Sequence, residues 1–184
     1  MDSAGQLASR RIYSGRVINL DVDTVRFPDG STGEMEMIRH PGAAAVVPLA
    51  SDPSGADPTV LMIKQYRYAA GGTLWEIPAG RLTVPGESPE ECARRELQEE
   101  AGVSAGRLER LTTIWTTPGF TDEAIHLFVA YDLKSGSHAR ERDEFIEVVP
   151  LPLSAVLQRI RQGDIRDAKT VTAILYVAGF VLAR

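Results

Sequence analysis

The sequence predicts an α/β fold with a mixed β-sheet, preceded by an N-terminal antiparallel strand hairpin. Three observations carry that reading: apolar runs of strand length along the chain, three segments with helical punctuation or spacing among and after them, and a turn signal, Pro28-Asp29-Gly30-Ser31, within the first forty residues. A length of 184 residues suffices for one core-forming domain plus a small appendage and is too short for two full domains.

From Arg11 to Phe27 the chain alternates, with Ile12, Val17, Leu20, Val22 and Val25 set among polar residues, and PDGS at 28–31 turns it back. A hairpin of this size cannot build a core of its own, so residues 1–40 are expected to pack on something larger, such as a second subunit. Residues 41–184 then form the main domain. After His40-Pro41-Gly42, AAAVVPLA reads as a buried strand, SDPSGADP as a loop and TVLMIKQYRY as a second strand. Trp75 to Pro78 is a short strand, and Leu111–Trp115 and Ile125–Tyr131 are further candidates. Pro152–Gln162 and Asp167–Leu182 read as helices separated by a Gly163-Asp164 turn.

The hydrophobic share of 43% and charged share of 24% are those of an ordinary soluble globule. A net charge of −5 argues against a protein whose main task is coating nucleic acid or an anionic membrane. The lone Cys92 excludes an internal disulfide framework and a cysteine-built zinc site, and it is read as a packing residue on its helix. His40, His126 and His138 are scattered, which also argues against zinc. The N-terminus MDSAGQLASRR lacks the apolar core of a secretory signal, so the cytoplasm is the expected location. The apolar run from Val171 to Ala183 falls short of the roughly 20 residues needed to span a bilayer, and its helical spacing predicts a buried or interface helix.

The most informative stretch runs from Ala79 to Val103, AGRLTVPGESPEECARRELQEEAGV, and holds six glutamates. Ser88 can cap a helix, Pro89 suits its first position, Glu91 completes a capping box and Gly102 supplies the left-handed stop. At about 100° per residue, Glu96, Glu99 and Glu100 share an arc of roughly 100°. Like charges so placed repel, so a positive partner is expected among them. A solvated acidic face is the plainer explanation of three such glutamates. The glycine loop EIPAGRLTVPGE, directly after a strand and before the helix, favours a site instead. Helix carboxylates plus a loop carbonyl suit a hard divalent ion such as Mg²⁺ or Mn²⁺.

These residues resemble the box of the Nudix hydrolases: Gly, five residues, Glu, seven residues, Arg-Glu-apolar, any, Glu-Glu, any, Gly-apolar. Gly80, Glu87, Arg95, Glu96, Leu97, Glu99, Glu100, Gly102 and Val103 match it, with six residues rather than five between Gly80 and Glu87. The resemblance implies an α/β/α sandwich and a reaction in which water attacks a phosphorus of a nucleoside diphosphate linked to another group. It implies Glu96 and Glu100 as principal metal ligands, Glu99 as a further ligand with a catalytic part, the Ala79 carbonyl as a ligand, and a bracing Glu87–Arg95 ion pair.

Outside the box, HPGAAAVVPL, KQYRY, LWEIPAG and TPGFTDE look like the ADP-ribose pyrophosphatase branch, and Pro118 stands sixteen residues after Gly102, the spacing associated with that branch. By this resemblance Mg²⁺ or Mn²⁺ supports cleavage of ADP-ribose to AMP and ribose 5-phosphate. Arg67 binds substrate phosphate or ribose, Glu76 contacts substrate or braces the pocket, and Pro118 marks the substrate. A general base is expected on the loop HARERDEFIEVV, from Glu144 or Glu141 with Asp143 behind them. Met35-Glu36 falls where relatives often carry Arg-Glu, a departure that weakens the ADP-ribose reading. The branch is typically a homodimer, its N-terminal strands crossing to the partner. Two alternatives stand beside this reading: a nucleotide-sugar pyrophosphatase acting on a substrate such as GDP-mannose, and a non-catalytic ADP-ribose-binding sensor. No basic stripe for nucleic acid is present.

Overall fold

A computed structural model describes residues 4–136 and 146–183. The described chain divides into two compact units, one running up to Gly42 and taking in Trp115–Ala124, the other holding Ala43–Ile114 and the chain from Ile125 onward.

The first unit is a three-stranded antiparallel sheet in the order β1-β2-β3, with β1 (Gly5–Ser14), β2 (Asn19–Arg26) and β3 (Thr32–Arg39). The expected antiparallel hairpin is present as β2 and β3, and β1 adds a third strand to it. The alternation read as one arm is broken by a tight turn in which Gly15 N–H donates to the Ile18 carbonyl at 2.9 Å, and alternation on either side conceals it. The PDGS turn forms as expected: Asp29 Oδ1 accepts from Ser31 N at 2.9 Å, and Gly30 takes φ 87°. Asp21 and Asp23 of β2 are buried at 5% and 4% exposure, which is costly without cations. Arg11 pairs with Asp21, while Arg39 engages Asp21, Asp23 and Asp122. Backbone bonds from Ile38 N to Phe120 O (2.7 Å) and from Asp122 N to Ile38 O (3.3 Å) stitch segment 115–124 to β3.

The second unit holds a four-stranded sheet in the order β7-β4-β9-β8 and a three-stranded sheet in the order β10-β5-β6. Its strands are β4 (Ala43–Pro48), β5 (Thr59–Arg67), β6 (Gly72–Glu76), β7 (Ala79–Arg81), β8 (Val103–Trp115), β9 (Ala124–Ser135) and β10 (Ile146–Pro152). Its helices are α1 (Pro89–Ala101), α2 (Leu153–Gln162) and α3 (Ala168–Tyr176). β4 runs parallel to β9 and antiparallel to β7, so the sheet is mixed.

The apolar run at 43–48 is explained by helices on both faces of the sheet. Ala43, Ala45 and Val47 join Leu127, Val129, Val156, Ile174 and Val177 on the side of α2 and α3, whereas Ala44 and Val46 join Cys92, Ala93, Leu97, Phe128 and Ala130 on the side of α1. This is the expected α/β/α sandwich.

Five details depart from expectation. β6 covers Gly72–Glu76 rather than Trp75–Pro78. β7 forms inside the presumed glycine loop by pairing Ala79, Gly80 and Arg81 with β4. β8 begins at Val103 rather than Leu111. β10 was masked in the sequence by Pro150 and Pro152, which an edge strand tolerates because their missing N–H groups cost no ladder bond on the open side. The last helix gives way after Tyr176 to a wider turn over Val177–Val181, with Leu182 N bonded to Val177 O at 2.9 Å.

Candidate active site

α1 has the ends its sequence requires. Ser88 Oγ accepts from Glu91 N at 3.2 Å, Glu91 Oε2 accepts from Ser88 N at 2.7 Å, and Gly102 closes the helix at φ 69°. The loop with the extra residue turns tightly before it, Glu87 N donating to Val84 O at 3.1 Å with Gly86 at φ 80°.

The positive partner of the glutamates is Arg95. Its guanidinium forks onto Glu87, Nε to Oε1 at 2.8 Å and Nη2 to Oε2 at 3.1 Å. Through Nη1 it also donates to Glu96 and, at 2.9 Å, to Glu99. One side chain thus ties the loop to the helix and balances charge among three carboxylates, and the Glu87 bond foremost pushes the Arg95 pKa up.

Glu96 and Glu100 lie buried at 7% and 2% exposure, both against the backbone of Ala79-Gly80. Ala79 N donates to Glu100 Oε2 at 2.9 Å. Gly80 is needed for close approach, since a Cβ built there would fall 1.8 Å from Glu96 Oε1 and 2.0 Å from its Cδ. β7 therefore carries the loop backbone between two helix carboxylates one turn apart. Cys92 packs beneath, its thiol donating toward the Gly80 and Arg81 carbonyls at 3.6 Å. Burial first, and the Glu96 charge second, push that thiol up to about 12, which removes it as a nucleophile at neutral pH.

The donor chemistry here suits a hard divalent cation: two carboxylates and a neighbouring backbone carbonyl, in a cradle kept open by the absence of a side chain on Gly80. Among the described residues, no three His, Cys, Asp or Glu side chains converge as a metal cluster. Glu99 is less buried than Glu96 and Glu100 and shares the Arg95 Nη1 donor with Glu96.

A second charged group lies on β5, β6 and α3 of the same unit. Arg67 grips Glu76 with two parallel bonds of 2.8 Å, Nε to Oε1 and Nη2 to Oε2. Lys169 bonds Glu76 as well and reaches Asp167 Oδ2 at 3.0 Å. Burial pushes the Glu76 carboxyl up, but the Arg67 bonds and the Lys169 charge outweigh it, so its pKa lies below the ordinary 4.5. The negative charge of Glu100 is also felt at Arg67, which connects this group electrically to the carboxylate pair.

Pro118 is exposed in the other compact unit, on the loop where Phe120 N and Thr121 N donate to Thr117 O. Glu141, Asp143 and Glu144 lie outside the described residues. The sequence reading missed Asp167, Lys169 and Thr170, although Asp-x-x-Thr at the head of a helix is a capping signal that marks two of them.

Comparison with known proteins gives a consistent picture. The NUDIX domain family matches over residues 39–173. An ADP-ribose pyrophosphatase of Bacillus subtilis is 40% identical over 173 residues, covering 93% of this chain and 90% of the relative. A GDP-mannose pyrophosphatase of Cronobacter sakazakii is 40% identical over 130 residues, covering 65% of this chain and 66% of the relative. The crystal structure of an ADP compounds hydrolase superposes with a TM-score of 0.81 at 23% identity over 98% of this chain and 95% of that one, a likeness of fold. A match over most of the chain, on the residues that build the carboxylate cradle, establishes that this protein belongs to the NUDIX domain family.

Proposed function

We propose that this Nudix hydrolase is a divalent-metal-dependent pyrophosphohydrolase that cleaves ADP-ribose to AMP and ribose 5-phosphate, using Mg²⁺ or, in its place, Mn²⁺. The observation that carries the reading is the pair of buried carboxylates, Glu96 and Glu100, held against the Ala79-Gly80 backbone. Similarity to the B. subtilis ADP-ribose pyrophosphatase over nearly the full length of both chains supports the substrate. Nudix hydrolases are generally dependent on divalent metal ions. Bound metal neutralises phosphate oxygens, acidifies the attacking water and stabilises the leaving group.

In this reading Glu96, Glu100 and the Ala79 carbonyl hold the metal, Glu99 adds charge at the edge, and Glu87 with Arg95 keeps loop and helix in register. Arg67, bound as a rigid fork to Glu76, presents its half-exposed guanidinium to a phosphate or ribose oxygen, while Glu76 fixes its direction. Glu141 or Glu144 serves as general base and Pro118 contributes to substrate selection. The strand segment 1–40 mediates homodimerisation: β1 is exposed along its whole length and carries Leu7, Ile12 and Tyr13 at 50%, 47% and 57% exposure. Light scattering should give twice the chain mass. No helix among the described residues is long and apolar enough to cross a membrane, and the cytoplasm is the proposed location.

The second reading, a GDP-mannose pyrophosphatase, is favoured by the Cronobacter relative and uses the same cradle. Separation of products from ADP-ribose, GDP-mannose, NADH and a dinucleoside polyphosphate, each with and without Mg²⁺, decides between them. AMP and ribose 5-phosphate from ADP-ribose, formed with Mg²⁺ alone, support the first reading. Preferential GDP-mannose cleavage supports the second, and ADP-ribose binding without turnover would mark a sensor.

A further inference from the structure

The first turn of α3 meets the chain just before Gly80 at two consecutive residues. Lys169 reaches the Glu76 carboxylate, and Thr170 Oγ1 accepts from Ile77 N at 3.0 Å. Thr170 is wholly buried. Its hydroxyl has one proton, and Asp167 Oδ2 takes it at 2.6 Å, so toward Ile77 the oxygen acts as an acceptor. Donation to a carboxylate polarises the hydroxyl and strengthens that acceptor. Asp167 is itself fixed as the helix cap, accepting from Thr170 N at 3.0 Å.

Between Ile77 and Ala79 stands Pro78. Its ring locks its own φ and restricts Ile77 before it, and its carbonyl accepts from Val46 N at 2.9 Å. So stiff a link passes a displacement at Ile77 on to Ala79, whose N–H holds Glu100 Oε2 at 2.9 Å.

We propose that Thr170 is a positioning residue for the candidate metal site: its hydroxyl, aimed by Asp167, anchors Ile77 and through the Ile77-Pro78-Ala79 link sets the Ala79 carbonyl and the Glu100 carboxylate in register. Thr170 acts through the backbone, at a distance from substrate and metal. The inference rests on the metal reading given under Proposed function.

The test titrates metal-free protein with MnCl₂, following free Mn²⁺ by electron paramagnetic resonance, with kcat and KM for ADP-ribose measured alongside. Thr170→Val keeps the shape and removes the acceptor, and should weaken Mn²⁺ affinity about tenfold, lowering kcat more than it raises KM. Thr170→Ser restores the hydroxyl and should stay within about twofold of wild type. Asp167→Asn keeps the cap but weakens the aim of the hydroxyl, and should fall between. Ile174→Val loosens buried α3 packing in the same core as Ile77 while leaving the Thr170 hydroxyl and its bond to Ile77 N in place, and should lower Tm without changing Mn²⁺ affinity.

Wild-type Mn²⁺ affinity in Thr170→Val, or an equal loss in Ile174→Val, overturns the positioning role. If Thr170→Val does not fold, unchanged affinity in Asp167→Asn overturns it. Failure of the wild-type protein to bind Mn²⁺ instead overturns the metal reading beneath it.

Discussion

Gly80→Ala adds one methyl group at the tightest contact in the candidate site. The new Cβ would lie 1.8 Å from Glu96 Oε1, whereas real Cβ atoms keep beyond 3.0 Å, so the carboxylate must retreat by more than about 1 Å. The obstacle is the far end of a flexible side chain, and alanine also trims the entropy of the unfolded chain by about 0.4–1 kcal/mol. Global stability should therefore change by about 1 kcal/mol or less in either direction, while a carboxylate misplaced by about 1 Å costs on the order of 100-fold in turnover. Urea denaturation followed by circular dichroism reads the first quantity, and AMP release from ADP-ribose at saturating Mg²⁺ reads the second. A folded Gly80→Ala protein within about threefold of wild-type turnover would refute the argument that Glu96 must sit against this backbone.

Glu100→Gln retains the acceptor for Ala79 N and removes a charge, so turnover should fall by more than about 100-fold while Tm moves by a few degrees at most, checked by assay and calorimetry. Glu76→Gln should destabilise at pH 7 by removing the carboxylate that pairs Arg67 and one of the two that pair Lys169. Because the folded Glu76 pKa lies below its ordinary 4.5, its contribution is complete above that value and is lost as pH falls through the lower folded one. Urea midpoints of wild type and variant should therefore converge below about pH 4.5, and a constant gap down to pH 3 would contradict the ion-pair account. Cys92, with a thiol pKa pushed up to about 12, should be about one part in 10⁴ thiolate at pH 8, so a thiol reagent should label it far more slowly in native than in unfolded protein.

Much of the fold was legible because the signals were local. The Ser88-Pro89-Glu91 start, the Gly102 stop and the both-faces-apolar run at 43–48 each state their structure within a few residues. What escaped depended on partners distant in sequence. β10 becomes a strand because β5 offers a ladder that tolerates prolines at its edge, and β7 because β4 lies beside Ala79–Arg81. The short turn at Gly15 was hidden by alternation continuing on both sides.

The candidate site divides in the same way. Helix period placed Glu96, Glu99 and Glu100 on one arc and raised the question of a cation among them, which Arg95 answers. Period could not show that Glu96 and Glu100 close on β7 while Glu99 stays more exposed, nor that one Arg95 nitrogen is shared by Glu96 and Glu99. Nor could it show that Lys169, the second cation on Glu76 beside Arg67, arrives from α3, 93 residues away in sequence.

The most direct test of the central claim is a crystal of the wild-type protein soaked with Mn²⁺ and a non-hydrolysable ADP-ribose analogue, with anomalous diffraction recorded at the manganese edge. The account predicts an anomalous peak beside the Ala79 carbonyl and the Glu96 and Glu100 carboxylates, with the pyrophosphate against it. Analogue bound with no manganese there, or manganese held elsewhere, would contradict it.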